Sequence, residues 1–102
     1  QFPHGDVRVV ERDGAPVGSL HTDRTGDDLR LVDLAIVPEQ RGAGLGTEIL
    51  RGVLEDARAL GKRVVLHVEV HNRAARLYAR VGFTEVANDG IYRRMQWSPS
   101  DL

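Results

Sequence analysis

The 102-residue chain contains no cysteine, which excludes disulfide bonds, thiolate metal ligands and a cysteine nucleophile. It also lacks any run near the roughly 18 consecutive apolar residues that a membrane-spanning helix needs. No signal peptide opens the sequence, so we expect a cytoplasmic protein without a membrane partner. The net charge of −1 gives no basic excess of the kind that binds nucleic acid.

What the chain does contain is ordinary for one soluble domain. Apolar residues make up 41% and charged residues 28%, and we assign residues 1–102 to a single domain. The four histidines have neither a cysteine partner nor the spacing of two histidines on one helix face, so we expect no metal.

The spacing of apolar residues predicts the element order β-β-β-α-β-α-β-β. Asp13-Gly14 and the stretch 88–90 are typical hairpin turns. Gly61 and Gly82 follow the two helical patterns as stop signals, and Asn72 precedes the second helix as its N-cap. The predicted strands are 7–12, 15–22, 29–37, 63–71, 83–87 and 91–97, and the predicted helices are 45–60 and 73–81.

The third predicted strand changes the face of its apolar residues partway along. Leu29 and Leu31 share one phase of the alternation, whereas Leu34 and Ile36 share the other. Such a slip indicates a β-bulge near Val32-Asp33. A central strand buried on both faces would give a similar apolar run, and the sequence leaves both interpretations open.

Three glycines at alternate positions separate this strand from the first helix, in the stretch PEQRGAGLGT at 38–47. A glycine in a helix costs about 1 kcal/mol relative to alanine, so three of them need a reason. The N–H groups of a first helical turn have no intrahelical partners, and the helix dipole favours negative charge there. The glycines would let a phosphate approach this backbone closely. A ligand-free strand-to-helix corner is the alternative.

The spacing of the loop separates the possible phosphate ligands. A Walker loop requires lysine and then serine or threonine after its last glycine, and here Thr47 and Glu48 follow Gly46. A dinucleotide fingerprint requires G-x-G-x-x-G, and the spacing here is G-x-G-x-G. Arg41, Gly44 and Gly46 instead stand at R-x-x-G-x-G, which resembles the acetyl-CoA signature of the GCN5-related N-acetyltransferases (GNAT).

A second motif supports the same resemblance. The stretch NRAARLYARVGF at 72–83 is similar to that family's other signature, an Asn-x-Ala…Leu-Tyr…Gly-Phe helix. The resemblance covers the chain from the family's second strand to its last. It implies a mixed, mostly antiparallel sheet flanked by helices, a GNAT-like α/β (α+β) fold. The family's first strand and two helices are missing here, so we expect an N-terminally incomplete domain, a bare sheet edge and a possible homodimer.

The resemblance also implies a reaction and a set of site residues. The reaction is transfer of an acetyl group from acetyl-CoA to a primary amine, of a small molecule or a peptide, by direct attack in a ternary complex. Tyr78 is the family-matched general acid, and Glu69 and His67 are candidate bases, with Asp33 as a third. The residues expected to bind coenzyme A are Leu34, Ala35, Ile36, Arg41, Gly42, Ala43, Gly44, Leu45, Gly46, Thr47, Asn72 and Tyr78.

Each of these assignments has an alternative in which the residue has a structural role or the domain only binds its ligand. Tyr78 has helical spacing with Ala74, Ala75 and Val81, so it could serve only as a packing residue. A non-catalytic acyl-CoA-binding module would keep the loop without an acceptor site. Three further arginines of the second helix, Arg73, Arg76 and Arg80, fit a solvated helix face better than a coenzyme contact, and we leave them out of the predicted site.

Overall fold

The secondary-structure elements follow the predicted order in a computed structural model that describes residues 5–42 and 44–99. A short 3-10 turn, Pro38–Gln40, lies between the third strand and the glycine loop. The elements are β1 (Gly5–Arg12), β2 (Ala15–Thr25), β3 (Asp28–Ile36), α1 (Leu45–Leu60), β4 (Arg63–Glu69), α2 (Ala74–Val81), β5 (Thr84–Asn88) and β6 (Tyr92–Trp97). The predicted β-β-β-α-β-α-β-β order is therefore confirmed.

The six strands form one mixed sheet in the order β1-β2-β3-β4-β6-β5. Only β3 and β4 pair in parallel, and all other neighbours are antiparallel. A parallel pair needs a long crossover, which α1 supplies between these two strands. The predicted mostly antiparallel sheet is confirmed, with β1 at its edge.

β3 contains the bulge that the phase slip indicated. Opposite β2, Asp33 pairs with His21 and Leu31 pairs with Thr22, so Val32 has no partner of its own. Val32 is 41% exposed, whereas Leu31 is buried. Arg30 and Asp33 are exposed as well, so the alternative of a strand buried on both faces is wrong.

Both helices pack on one face of the sheet. Leu50 of α1 is fully buried in a core that includes Val64 and Leu66 of β4. The opposite face is less covered by the described residues. Val7 and Val9 of β1 lie on that face, opposite His21 and Ser19 of β2, and they are 56% and 63% exposed.

The helix ends lie close to their predicted positions. α1 ends at Leu60 before Gly61, and α2 ends at Val81 before Gly82. The Asn72 side chain accepts a hydrogen bond from the Ala74 N–H at 2.8 Å, as a capping side chain does, although Arg73 is the residue at the N-cap position of α2 and makes no side-chain capping bond. Of the described helices, none is long and apolar enough to cross a membrane.

Candidate active site

The central parallel pair of strands opens into a wedge. β3 and β4 pair only between residues 28–30 and 63–65, although both strands continue beyond that point. The bulge at Val32 lies two residues after Arg30, the last paired residue of β3, and a bulge bends a strand and increases its local twist. The glycine loop follows the far end of β3, so the wedge opens toward the start of α1. We call this gap the β3–β4 wedge.

Some backbone groups of β3 are directed into the wedge. The Val37 N–H donates to the Val17 carbonyl at 2.9 Å, which marks a hydrogen-bonded pair between β3 and β2. Hydrogen-bonded and non-hydrogen-bonded pairs alternate along an antiparallel ladder. Leu34 and Ile36 therefore direct their N–H groups away from β2 and toward the wedge, whereas Ala35 directs its N–H toward β2.

Two further contacts agree with this alternation. A Cβ placed on Gly18 would stand 2.6 Å from the Ala35 carbonyl oxygen, so that oxygen lies on the β2 side. The Ile36 carbonyl oxygen accepts a hydrogen bond from Arg41 Nε at 3.0 Å, as a carbonyl not used by β2 can. Of the three predicted backbone donors, Leu34 and Ile36 are thus the ones whose N–H groups face the wedge.

The first two glycines of the loop adopt the left-handed backbone conformation, which favours glycine. Gly42 and Gly44 both have φ of 83°, and a Cβ on either would meet no atom within 4 Å. Space is therefore open beside this backbone. Gly44 is the N-cap of α1, and the first intrahelical hydrogen bond runs from the Glu48 N–H to its carbonyl at 3.0 Å. The amides of Leu45, Gly46 and Thr47 thus belong to the first turn, which lacks intrahelical acceptors.

Gly46 has a different reason to be glycine. Its backbone is helical, and a Cβ would stand 3.0 Å from Leu77 Cδ2 and 3.2 Å from Ile36 Cδ1. The third glycine therefore lets α1 approach α2 and β3 closely. The local glycine pattern suggests phosphate approach for all three glycines and cannot reveal this packing role, because Leu77 lies 31 positions away in the chain. Ala43, also predicted in the site, lies outside the described residues.

Tyr78 lies in the core beside the wedge. It is 8% exposed, and its ring meets that of Phe83 edge to face, with centroids 5.7 Å apart. Burial raises the pKa of the Tyr78 hydroxyl above its ordinary value of 10.0, and the negative charge of Asp33 raises it further. The phenol is therefore protonated at neutral pH. Its packing role and a proton-donor role are compatible.

The candidate bases lie on the other face of β4. His67 and Glu69 alternate with the buried Leu66 and Val68, and both are exposed. Asp33 of β3 is exposed on the same face, opposite His21. The sheet thus separates Tyr78, on the helix side, from His67 and Glu69. Among residues 5–42 and 44–99, no cluster of three or more histidines or carboxylates could hold a metal ion.

Comparison with known proteins agrees with this architecture. The family model described as an acetyltransferase (GNAT) domain matches residues 3–85. A mycothiol acetyltransferase of Thermobispora bispora is 37% identical over 95 residues, which cover 84% of this chain and 32% of that protein. A Bacillus subtilis protein, named as a ribosomal protein bS18-alanine N-acetyltransferase, is 33% identical over 82 residues, covering 78% and 54%. The chain thus spans about a third to a half of the length of these curated relatives.

The fold is also found in a solved structure. The PaiA N-acetyltransferase of Thermoplasma acidophilum, in complex with coenzyme A, superposes with a TM-score of 0.84 at 18% identity. The superposition covers 93% of this chain and 61% of that one. The family match over most of the sequence and the shared fold lead to one conclusion: the chain belongs to the GNAT acetyltransferase domain family.

Proposed function

We propose that this chain binds acetyl-CoA and transfers the acetyl group to a primary amine by direct attack in a ternary complex. The observation that carries the proposal is the β3–β4 wedge, bordered by free Leu34 and Ile36 amides and by the buried Tyr78. Membership of the GNAT family and the coenzyme A bound to the PaiA protein support acetyl-CoA as the donor.

The pyrophosphate of coenzyme A would lie at the start of α1. The open space beside Gly42 and Gly44 admits a group that a Cβ would otherwise obstruct. The free amides of the first turn and the helix dipole favour its negative charge. The exposed Arg41 adds a cation beside the loop, where its Nε already contacts Ile36. Asn72 caps α2 through its carbonyl oxygen, which leaves its amide NH₂ free to donate to the coenzyme arm.

The thioester would lie in the wedge, where the reaction develops negative charge first on the carbonyl oxygen and then on the departing sulfur. The amine nitrogen attacks the carbonyl carbon, and negative charge develops on the carbonyl oxygen. An N–H of Leu34 or Ile36 stabilises that charge. The carbon–sulfur bond then breaks, and the departing thiolate takes the proton of the Tyr78 hydroxyl. Burial raises the pKa of this phenol, which makes it a weaker acid. The wedge also desolvates the thiolate, which raises the proton affinity of the sulfur, so the phenol still donates its proton to it.

The acceptor amine would approach from the opposite face of the sheet. His67 and Glu69 are exposed on that face, so either can take the proton of an ammonium group, directly or through water. The proton donor and the proton acceptor are then separated by the sheet, which keeps them from exchanging a proton without substrate. The two curated relatives are named for mycothiol and for an alanine of ribosomal protein bS18. We therefore keep the acceptor as a small-molecule or peptide amine.

The test measures binding and turnover separately. Calorimetry compares acetyl-CoA, free coenzyme A and ATP, and the proposal requires binding of the first two but not of ATP. Turnover is followed by release of free thiol across a panel of amines, without background because the chain has no cysteine. Tyr78→Phe keeps the ring, so we expect a fall in kcat of about 10² to 10⁴-fold with little change in KM for acetyl-CoA. An active wild type with an unimpaired Tyr78→Phe variant would leave Tyr78 as a packing residue.

A non-catalytic acyl-CoA-binding module is the second candidate. It is favoured by the exposed Val7 and Val9, because the described residues leave the sheet face on which the acceptor would bind poorly covered. The same experiments distinguish it: tight binding of acetyl-CoA without turnover on any amine would support the module over the enzyme.

A further inference from the structure

A cavity of about 290 Å³ lies on the side of α2 away from α1. Ligand pockets usually have volumes of about 300 to 1,000 Å³, so this one suits a small ligand or a single charged group. Its floor is formed by two alanines of α2, one helical turn apart, which leave the space unfilled. The lining that matters here consists of Ala75, Ala79, His71, Arg73, Arg76 and Arg93. We call this cavity the arginine pocket.

The charged side chains that line the arginine pocket are all basic. No aspartate or glutamate lines it. Within the described parts of the chain, the side chains of Arg73 and Arg76 make no ion pair or hydrogen bond, and both residues are exposed. Like charges held close together repel each other, and an anion placed among the three guanidinium groups would relieve that repulsion.

Arg93 is the anchored member of the group. Its Nη2 donates to the Val70 carbonyl at 3.2 Å, which fixes the guanidinium at the end of β4. Its Nε is buried and has no hydrogen-bond partner among the described residues, although it forms an ion pair with Glu85 Oε1 at 3.6 Å. Buried donors in folded proteins are normally satisfied. Arg93 is thus held by one hydrogen bond and one long ion pair, while its Nε makes no hydrogen bond.

The arginine pocket lies on a different side of α2 from the coenzyme loop, although Asn72, which we assign to the coenzyme arm, also lines it. Leu77 is the α2 residue that faces Gly46 and the glycine loop. Ala75 and Ala79 lie two positions before and after it, which is about 200° around a helix of 3.6 residues per turn. The two alanines therefore line the opposite side of α2, and a group in the arginine pocket does not occupy the coenzyme loop.

We propose that the arginine pocket, formed by Arg73, Arg76, Arg93 and His71 around Ala75 and Ala79, binds the phosphoryl group of a small ligand. Guanidinium groups bind phosphate oxygens through paired N–H donors, and three of them match a dianion better than they match a single carboxylate. The site explains the arginine spacing of α2, of which Arg80 is the member outside the pocket.

The test uses inorganic phosphate as the probe and amide NMR shifts as the reporter. In titrations at constant ionic strength, we expect saturable shifts at the amides of Ala75 and Ala79. Arg76→Gln and Arg93→Gln should each weaken phosphate binding about tenfold or more, the typical effect of one lost charged hydrogen bond. Arg80→Gln removes the same charge from the same helix and should change the affinity less than about twofold.

Four results would overturn the proposal. They are no saturable shift at Ala75 and Ala79, shifts confined to the glycine loop, an Arg80→Gln loss as large as that of Arg76→Gln, and displacement of phosphate from these amides by coenzyme A. The last result would identify the pocket as a seat for a phosphate of the coenzyme itself. Because Arg93 is partly buried, its variant is checked for an unchanged amide spectrum, and the exposed Arg76 carries the test if that spectrum changes.

Discussion

Enlarging Gly46 tests whether the third loop glycine serves packing instead of ligand approach. A Cβ at this position would stand 3.0 Å from Leu77 Cδ2 and 3.2 Å from Ile36 Cδ1. Ordinary carbon–carbon contacts are about 3.5 to 4.0 Å, so both methyl groups have to move. A Cβ on Gly44 would contact nothing within 4 Å, but Gly44 has φ of 83°. Gly46 and Gly44 therefore resist substitution for different reasons.

The expected losses of stability follow from those reasons. Gly46→Val overpacks the junction of α1, α2 and β3, at a cost of about 1 to 3 kcal/mol. In a domain of this size, that lowers Tm by roughly 4 to 24 °C. Gly46→Ala is milder, because the helix propensity of alanine recovers up to about 1 kcal/mol. Gly44→Ala forces a Cβ into the left-handed region, which costs about 1 to 2 kcal/mol without any steric contact.

The assay is a pair of double-mutant cycles with Leu77→Ala. Unfolding by urea is followed through the fluorescence of Trp97, the single tryptophan, which is 8% exposed in the core. In the cycle with Gly46→Val, removal of the Leu77 side chain relieves the clash, and we expect a coupling free energy of about 1 kcal/mol or more. In the cycle with Gly44→Ala, we expect additivity within about 0.5 kcal/mol.

Two outcomes would refute this reasoning. Additive losses in the Gly46→Val cycle would mean that Leu77 does not limit the space at Gly46. A stable Gly46→Val protein that loses only coenzyme A affinity would return Gly46 to the role of ligand approach.

Two further predictions concern α2. In a spectrophotometric titration, Tyr78 should ionise above pH 10.0, and the Tyr78→Phe variant isolates the signal of the other phenol, Tyr92. Asp33→Asn should lower the pKa of Tyr78, by less than burial raises it. Since the pKa of Tyr78 is raised in the folded state, the stability associated with its protonated form is present at neutral pH and falls as the pH rises above 10. A Tyr78 titration in Asp33→Asn identical to that of the wild type would contradict the coupling between the two residues. Asn72→Ala should cost about 1 kcal/mol of stability through loss of the cap, measured as a lower urea midpoint. Asn72→Asp keeps the capping oxygen and serves as the control. An equal loss in both variants would contradict the capping role.

The sequence was sufficient for the element order, and it offered the bulge as one of two interpretations of β3. Alternation and helical periodicity are local properties of the chain, and so are the turn residues at Asp13-Gly14 and the stop at Gly61. The phase slip between Leu31 and Leu34 indicated a bulge, because a period of two cannot keep both residues on one face without an extra residue. The boundaries were less accurate: β2 continues to Thr25, and α2 begins at Ala74.

The sequence could also group the site residues through two motifs, but it could not give each residue its orientation. Whether Leu34 or Ala35 directs its N–H into the wedge depends on the hydrogen-bonding register with β2, which is a property of the pair of strands. The coupling of Asp33 to Tyr78 likewise requires two elements to meet across the wedge.

By itself, the sequence determined which segments form strands and helices and that the glycine loop joins β3 to α1, because propensity, alternation and turn chemistry act between near neighbours in the chain. Only the tertiary structure decided that Gly46 is held by packing against Leu77, that Tyr78 and Glu69 lie on opposite sides of the sheet, and that Arg93 joins Arg76 around one cavity. These relations depend on distances between residues far apart in sequence, which packing of the sheet and helices sets and no local pattern encodes.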